Sequence, residues 1–247
     1  MQKKILYWSP CLNKVGTVKS TINSAIALKK YSNLNFEPII INACGEWDEY
    51  LEIFISNKIE IINLSNIKYF KYLPKEGFFF SRLSYVLIFI FSFFPLLKVL
   101  KKIKNAYLVA HLITSLPIFL FNFFNLNNKL VLRISGLPKL NYLRKNFWKI
   151  ASIKIDTITC PSLHLINKLV ESGIFNKKKV FFLPDAIYQV KDFINKKKYP
   201  LQSSILDNKR IILGIGRLTR QKNFSFLINE FSIFLKKKQR FQTINTW

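Results

Sequence analysis

Residues 210–231 read RIILGIGRLTRQKNFSFLINEF. The apolar run Ile211–Ile215 has the length and β-branched content of a buried strand, and it carries the triplet Gly214–Ile215–Gly216 at its end. Arg217, Arg220 and Lys222 follow, and Phe224, Leu227, Ile228, Phe231 and Leu235 then recur at helical spacing. A strand end that opens into a helix N-terminus is where open α/β sheets bind ligands. The glycines let backbone come close, and the free N–H groups of the first helical turn favour an anion. Arg217 can grip phosphate oxygens through two parallel hydrogen bonds and Lys222 can add a point charge; together they suit a diphosphate. A bare G-x-G is a weak signal, and a turn with solvated basic residues is the competing reading. Thr219 stands where a dinucleotide fingerprint would place its third glycine. No G-x-x-x-x-G-K-[ST] run occurs, which excludes a triphosphate-binding loop of that pattern.

Upstream, seven more short runs rich in β-branched or aromatic residues predict buried strands: Lys4–Trp8, Pro38–Ala43, Ile59–Leu64, Tyr107–Ala110, Leu130–Ile134, Thr157–Cys160 and Val180–Leu183. Helical patterns fall between many of them. Thr17 can cap a helix whose apolar residues Val18, Ile22, Ala25 and Ile26 share one face. Ser162 can start another, with Leu165, Ile166, Leu169 and Val170 on one face and Gly173 where a C-terminal cap belongs. Strands alternating with helices predict an α/β protein with parallel sheets covered on both faces. The Lys-rich stretch Lys191–Asn208, with Pro200 and Ser203–Ser204, interrupts the alternation and reads as a linker. These boundaries predict a Rossmann-like domain over 1–185, a linker over 186–208 and the beginning of a second domain over 209–247. A lone strand and helix cannot bury their own apolar faces. The sequence is therefore expected to stop before the second domain is complete.

The chain has 247 residues, half of them apolar, which suffices for one to two domains with a sizeable core. Its formal net charge is +26. A basic surface of that strength favours anionic partners such as phosphate-rich lipid, nucleic acid or sugar nucleotides. The joint enrichment in Lys, Asn, Ile and Phe is also what A/T-rich codons produce, so drift and function both remain open as its origin. Cys11, Cys44 and Cys160 are odd in number and far apart, with no C-x-x-C, so neither a disulfide framework nor a zinc site is indicated and a reducing compartment fits. Ile5–Trp8 is too short for the core of a signal peptide. The uncharged run Leu83–Leu97 has 15 residues and contains Pro95, short of the roughly 20 residues of a spanning helix. The run Asn105–Asn128 is uncharged but carries His111, Pro117 and several Asn. Both runs are expected to be buried or to lie at a membrane surface.

The segment Gly214–Phe231 resembles the G-R-L-x-x-x-K-N-x-x-x-L-I-x-x-F signature of glycosyltransferase family 4, with Arg217, Lys222, Asn223, Leu227, Ile228 and Phe231 in matching places. The likeness extends to ILYWSPCLNKVGTVKSTINSAIALKK (residues 5–30) and ITCPSLHLINKLVESGIFNKKKVFFLPDAI (residues 158–187), so it covers nearly the whole chain. It implies a GT-B fold of two facing α/β domains. The activity it implies is transfer of a sugar from a nucleotide-diphosphate donor to a hydroxyl, with retained anomeric configuration and neither metal nor other cofactor. Carried over by position, Gly16, Gly216, Arg217 and Lys222 would bind the donor, and Arg133 and Ser135 would lie on the acceptor side. His111 is the nearest candidate for a catalytic residue facing the acceptor, and the alternative for it is a satisfied histidine at a strand end. The implied acceptor is a lipid-linked or surface saccharide of bacterial polysaccharide or lipopolysaccharide synthesis, at the cytoplasmic face of an anionic membrane. The sequence departs from the family pattern in three places. The paired glycines of the first loop are reduced to Gly16, Pro184–Asp185–Ala186 replaces P-N-G, and Arg133–Ile134–Ser135–Gly136 stands where many relatives carry a His. The Glu-x7-Glu element of the donor domain has no match, so this chain by itself is expected to be inactive.

Other constellations are weaker. Glu46, Asp48 and Glu49 in CGEWDEY suggest a solvated loop, with a metal site as the alternative; no Asp-x-Asp occurs. Cys160 and His164 lack a second ligand pair. Basic and aromatic residues are scattered and match no nucleic-acid module, so no specific nucleic acid is expected as a partner. The rival to a transferase is a basic, non-catalytic module that binds membrane or nucleic acid.

Overall fold

A computed structural model describes residues 2–12, 16–32, 35–74, 78–138, 141–186, 190–198, 212, 214–216, 218, 220 and 222–244. The chain divides into two compact units, Met1–Lys196 and Lys197–Trp247, and the division falls inside the segment 186–208 expected to connect two domains.

The first unit is built on a parallel sheet of β1 (Lys3–Trp8), β2 (Phe36–Asn42), β3 (Glu60–Asn63), β4 (Tyr107–Ala110), β5 (Lys129–Arg133), β6 (Thr157–Cys160) and β7 (Val180–Phe182), in the order β3-β2-β1-β4-β5-β6-β7. The seven runs read as strands are these seven strands, shifted by a residue or two at their ends. Alternate residues face opposite layers. Leu6, Trp8, Ile39, Ile41, Leu108, Leu130 and Leu132 enter one core, whereas Tyr7 and Ile40 enter the other. The first core is closed by α3 (Phe78–Lys102), α4 (Ser115–Phe123), α5 (Tyr142–Lys154) and α6 (Leu163–Glu171). The second is closed by α1 (Gly16–Tyr31) and α2 (Leu51–Ser56), through Val18, Ile22, Ala25, Ile26 and Phe54. This is the Rossmann-like α/β arrangement the alternation predicts.

Local signals mostly hold. The Ser162 hydroxyl accepts from Leu165 N–H at 3.2 Å and caps α6, while Gly173 takes φ +67°, the left-handed conformation that ends a helix cleanly. Ser162→Ala is expected to destabilise the unit by about 1 kcal/mol. A thermal melt should show a drop of about 2–4 °C.

Two expectations are corrected, for Thr17 and Glu46, and two segments carry more regular structure than their sequence suggested. Helix α1 starts at Gly16, so Thr17 lies inside its first turn instead of capping it. The apolar run 83–97 belongs to a helix of 25 residues that continues through Pro95, because packing against the sheet offsets the one backbone hydrogen bond that proline removes. Glu46 is buried, not solvated: its carboxylate accepts from Ala43 N–H (2.9 Å) and Cys44 N–H (2.8 Å), and burial raises its pKa. In the reputed linker, Val190–Lys197 forms helix α7. The run 105–128 is buried in part, through Leu108, Leu116, Leu120 and Phe121, while Phe119 and Phe123 are exposed.

In the second unit, α8 (Phe224–Ile244) is the one regular element beyond α7 among the described residues. Ile212, Gly214 and Ile215 carry no strand pairing there, although Ile211–Ile215 reads as a strand; a strand needs a ladder partner, and none is present among those residues. A Cβ at Gly214 would lie 2.9 Å from the Phe224 ring, so glycine lets this segment close on the start of α8.

Candidate functional site

In a parallel sheet all strands end on one edge, and side chains just beyond those ends converge. The order of the strands reverses between β1 and β4, which opens a crevice there. Ser9 follows β1, His111 follows β4, Ser135 follows β5 by two residues, and Asp185 follows β7 by three. His111 Nε2 and Ser135 Oγ are 2.8 Å apart. Arg133, the last residue of β5, donates to the Leu183 carbonyl at 2.6 Å and to Asp185 Oδ1 at 2.7 Å. Ser20 of α1 donates to the same carboxylate oxygen at 2.9 Å, and Asn23 donates to the Ala186 carbonyl at 3.0 Å. The segment after β7 is thus tied both to the end of β5 and to α1.

The backbone is strained at the same edge. Leu112 and Ile113, directly after His111, have φ of 61° and 40°. A β-branched residue rarely adopts this left-handed region, which carries a cost of about 1–3 kcal/mol. Trp8 Nε1–H donates to the Ile113 carbonyl at 3.1 Å and holds the turn, so the chain leaves β4 sharply before entering α4. The Ser9 hydroxyl is buried and has no hydrogen-bond partner among the described residues.

Electrostatics follow from this packing. Burial, and after it the Arg133 guanidinium, push the His111 imidazole down to about 4 against the opposing pull of Asp185. His111 is therefore neutral at physiological pH. Burial alone would raise the Asp185 carboxyl, but the Arg133 and Ser20 hydrogen bonds and the neighbouring positive charge hold it below its ordinary value. The Arg133 side chain is 7% exposed and that of Asp185 27%, so the ion pair is largely removed from water.

A cavity of about 450 Å³ lies between the sheet, α1 and the segment after β7. Tyr7, Val109, Val131 and Leu183 form apolar walls, and Ser9, Ser20, His111, Arg133 and Thr159 bring polar groups to it. A largely preformed hollow with a few convergent polar groups can hold and orient a small molecule.

The residues singled out in the sequence fall into two groups. His111, Arg133 and Ser135 come together at the sheet edge. Gly16 begins α1 with nothing within 4 Å of where a Cβ would stand, so its backbone is open to approach. In the second unit Gly216 and Lys222 are neighbours, a Cβ on the glycine falling 3.3 Å from Lys222 Cγ. Arg217 lies outside the described residues. Sequence reasoning passed over Asp185, Ser20 and Ser9 as site residues. Asp185 did carry a signal, since an acid stands where the family pattern has an amide.

No family model and no curated protein matches the chain. Solved structures resemble its fold. A UDP-GlcNAc 2-epimerase from Neisseria meningitidis, bound to UDP-GlcNAc, superposes with a TM-score of 0.50 at 12% identity, over 80% of this chain and 50% of that one. A glycosyltransferase from Rickettsia africae ESF-5 superposes with 0.49 at 17% identity, over 74% and 43%. A UDP-N-acetylglucosamine 2-epimerase from Listeria monocytogenes gives 0.48 at 12%, over 73% and 45%. At these identities the likeness is one of fold, and of these three the Neisseria protein reaches 0.50. The chain spans about half the length of the proteins it resembles, or less.

Proposed function

We propose that this chain forms the acceptor-side domain, and part of the donor-side domain, of a glycosyltransferase of family 4 type. In this reading a sugar passes from a nucleotide-diphosphate donor to a hydroxyl of a lipid-linked or surface saccharide, with retention, and no metal or other cofactor takes part. The cell-surface polysaccharide setting at an anionic inner membrane belongs to the same proposal. The observation that carries it is the convergence of His111, Ser135, Arg133 and the orphaned Ser9 hydroxyl at the reversal point of a parallel sheet, beside a preformed cavity. The fold likeness to a protein bound to UDP-GlcNAc supports the donor class.

The chemistry divides between the units. Charge develops on the leaving diphosphate, and preplaced cations stabilise it more in the transition state than in the ground state. In the second unit Arg217 and Lys222 take that role, with Gly216 leaving room for phosphate oxygens to reach backbone; Gly16 keeps its donor-binding part in this reading by the resemblance alone. His111 receives a different role from the catalytic one read in the sequence. A group titrating near 4 is too weak a base to take a hydroxyl proton at neutral pH, so His111 orients the acceptor through a hydrogen bond shared with Ser135. Arg133 shapes the acceptor side indirectly, because two of its nitrogens are already engaged by Leu183 and Asp185.

The test is titration of the 247-residue chain with uridine, guanosine and thymidine diphosphate sugars, followed by ligand-observed NMR. Weak binding that falls with salt is expected, and Arg217→Ala and Lys222→Ala should each weaken it about tenfold, the loss of one charge-assisted contact. Binding that neither substitution changes, or no binding at all, would remove the donor-site assignment.

A further inference from the structure

The longest helix of the first unit is not used by the site. Along α3, Ser84, Ile88, Ser92, Leu96 and Leu100 recur every four residues and are buried, the three apolar ones in the core beneath the sheet. The opposite face carries Leu83, Val86, Ile90 and Phe94, all exposed; Phe94 is 75% exposed and Ile90 57%. These residues follow one another by three or four positions, so they form one stripe. The same line continues into Lys98 and Lys101, and Lys102 and Lys104 lie beside its end. Ring contacts widen the stripe: Phe94 meets Phe93 at 5.0 Å, Phe93 meets Phe119 of α4 at 5.8 Å, and Phe119 stacks on Phe123 at 4.3 Å. Phe123 is itself exposed. Lys101 Nζ sits 5.7 Å from the Phe124 ring, which places its charge at the border of this apolar field.

We propose that the α3–α4 face is a docking surface for an anionic lipid bilayer, with the apolar stripe in the acyl boundary and the lysines at the headgroups. Apolar residues on one side of a helix and lysines at its end are the pattern of an interfacial helix. Two other occupants fit less well. Residues Arg82–Lys102 are long and apolar enough to cross a membrane, but a third of that window is buried, and spanning would strip Ile88, Leu96 and Leu100 from the sheet core. A second copy would bring together two chains of formal charge +26, whereas an anionic surface attracts that charge. The inference deepens the membrane setting of the proposed function and rests on that part of it alone; a chain that bound no sugar nucleotide would still dock.

The three native cysteines are buried, so a Phe94→Cys chain can be labelled at one place with a polarity-sensitive dye. Vesicles of phosphatidylglycerol and phosphatidylcholine should shift the emission to the blue. Salt at about 0.5 M, where the screening length is about 4 Å, should reverse the shift. Lys98→Ala should weaken partitioning about fivefold, the worth of one lysine at an anionic surface. Ile90→Ser, exposed and so not needed for folding, should weaken it about threefold or more. The dye at Tyr31→Cys, exposed at the end of α1 on the other face of the sheet, should not respond. Four results would overturn the proposal. They are an absent shift at position 94, an equal shift on pure phosphatidylcholine, a shift without vesicles that grows with protein concentration, and retention through both salt and an alkaline wash.

Discussion

Alanine at position 185 is expected to destabilise the first unit by about 3 kcal/mol, the lower end of what breaking a buried ion pair costs. The Asp185 carboxylate is the partner of Arg133 at 2.7 Å and accepts from Ser20 at 2.9 Å. Without it, an arginine side chain that is 7% exposed keeps its charge with no counterion. The lower end applies because Asp185 itself is 27% exposed, so water can answer part of the loss. Thermal melts should fall by about 6–12 °C for a domain of this size. Asp185→Asn retains an acceptor without the charge and should lose about 1–2 kcal/mol. Adding Arg133→Met to Asp185→Ala should recover part of the deficit, since no charge is then left buried. A double variant no better than Asp185→Ala would mean that the segment after β7 is held by packing and not by this pair.

The second large effect is acid sensitivity through His111. Its folded pKa, about 4, lies below the ordinary 6.5, so between these values the unfolded chain binds a proton that the folded chain does not. Stability from this group is therefore complete above pH 6.5 and is lost as pH falls toward 4. A depression of this size corresponds to about 3 kcal/mol at 1.36 kcal/mol per pH unit. Urea unfolding at several pH values should show the parent losing about that much relative to His111→Gln over this window. The comparison with a variant is needed because Glu46, whose folded pKa is raised, gains stability as pH falls and opposes His111. Parallel pH profiles for parent and variant would show that the imidazole is not held neutral by its surroundings.

The two departures at the ends of β5 and β7 are partners. Arg133–Gly136 stands where family 4 patterns carry a His, and Asp185 stands where they carry an Asn. Separated by 52 positions, the cation and the acid meet in one ion pair. Taken singly each is a departure from the resemblance; in the fold the two residues meet and tie the segment after β7 to the end of β5. The strained pair Leu112–Ile113 gave no sequence signal, because nothing in the local composition distinguishes a left-handed isoleucine held by a distant indole.

What the sequence determined by itself was local and periodic. Apolar runs of strand length, the i, i+4 faces of α1 and α6, the Ser162 cap and the Gly173 stop all follow from interactions within a few residues, and their alternation fixes a parallel α/β sheet. What only the tertiary structure decided depends on groups far apart in the chain. Glu46 reads as a surface acid until the backbone folds two amides onto it, and the run 83–97 reads as a 15-residue segment holding Pro95 until packing carries its helix to 25 residues. His111 reads as a residue facing the acceptor or as a satisfied histidine at a strand end until burial, Arg133 and Asp185 set its proton affinity. Periodicity is encoded in neighbouring residues, whereas desolvation and charge pairing arise only when separate strand ends are brought to one edge of the sheet.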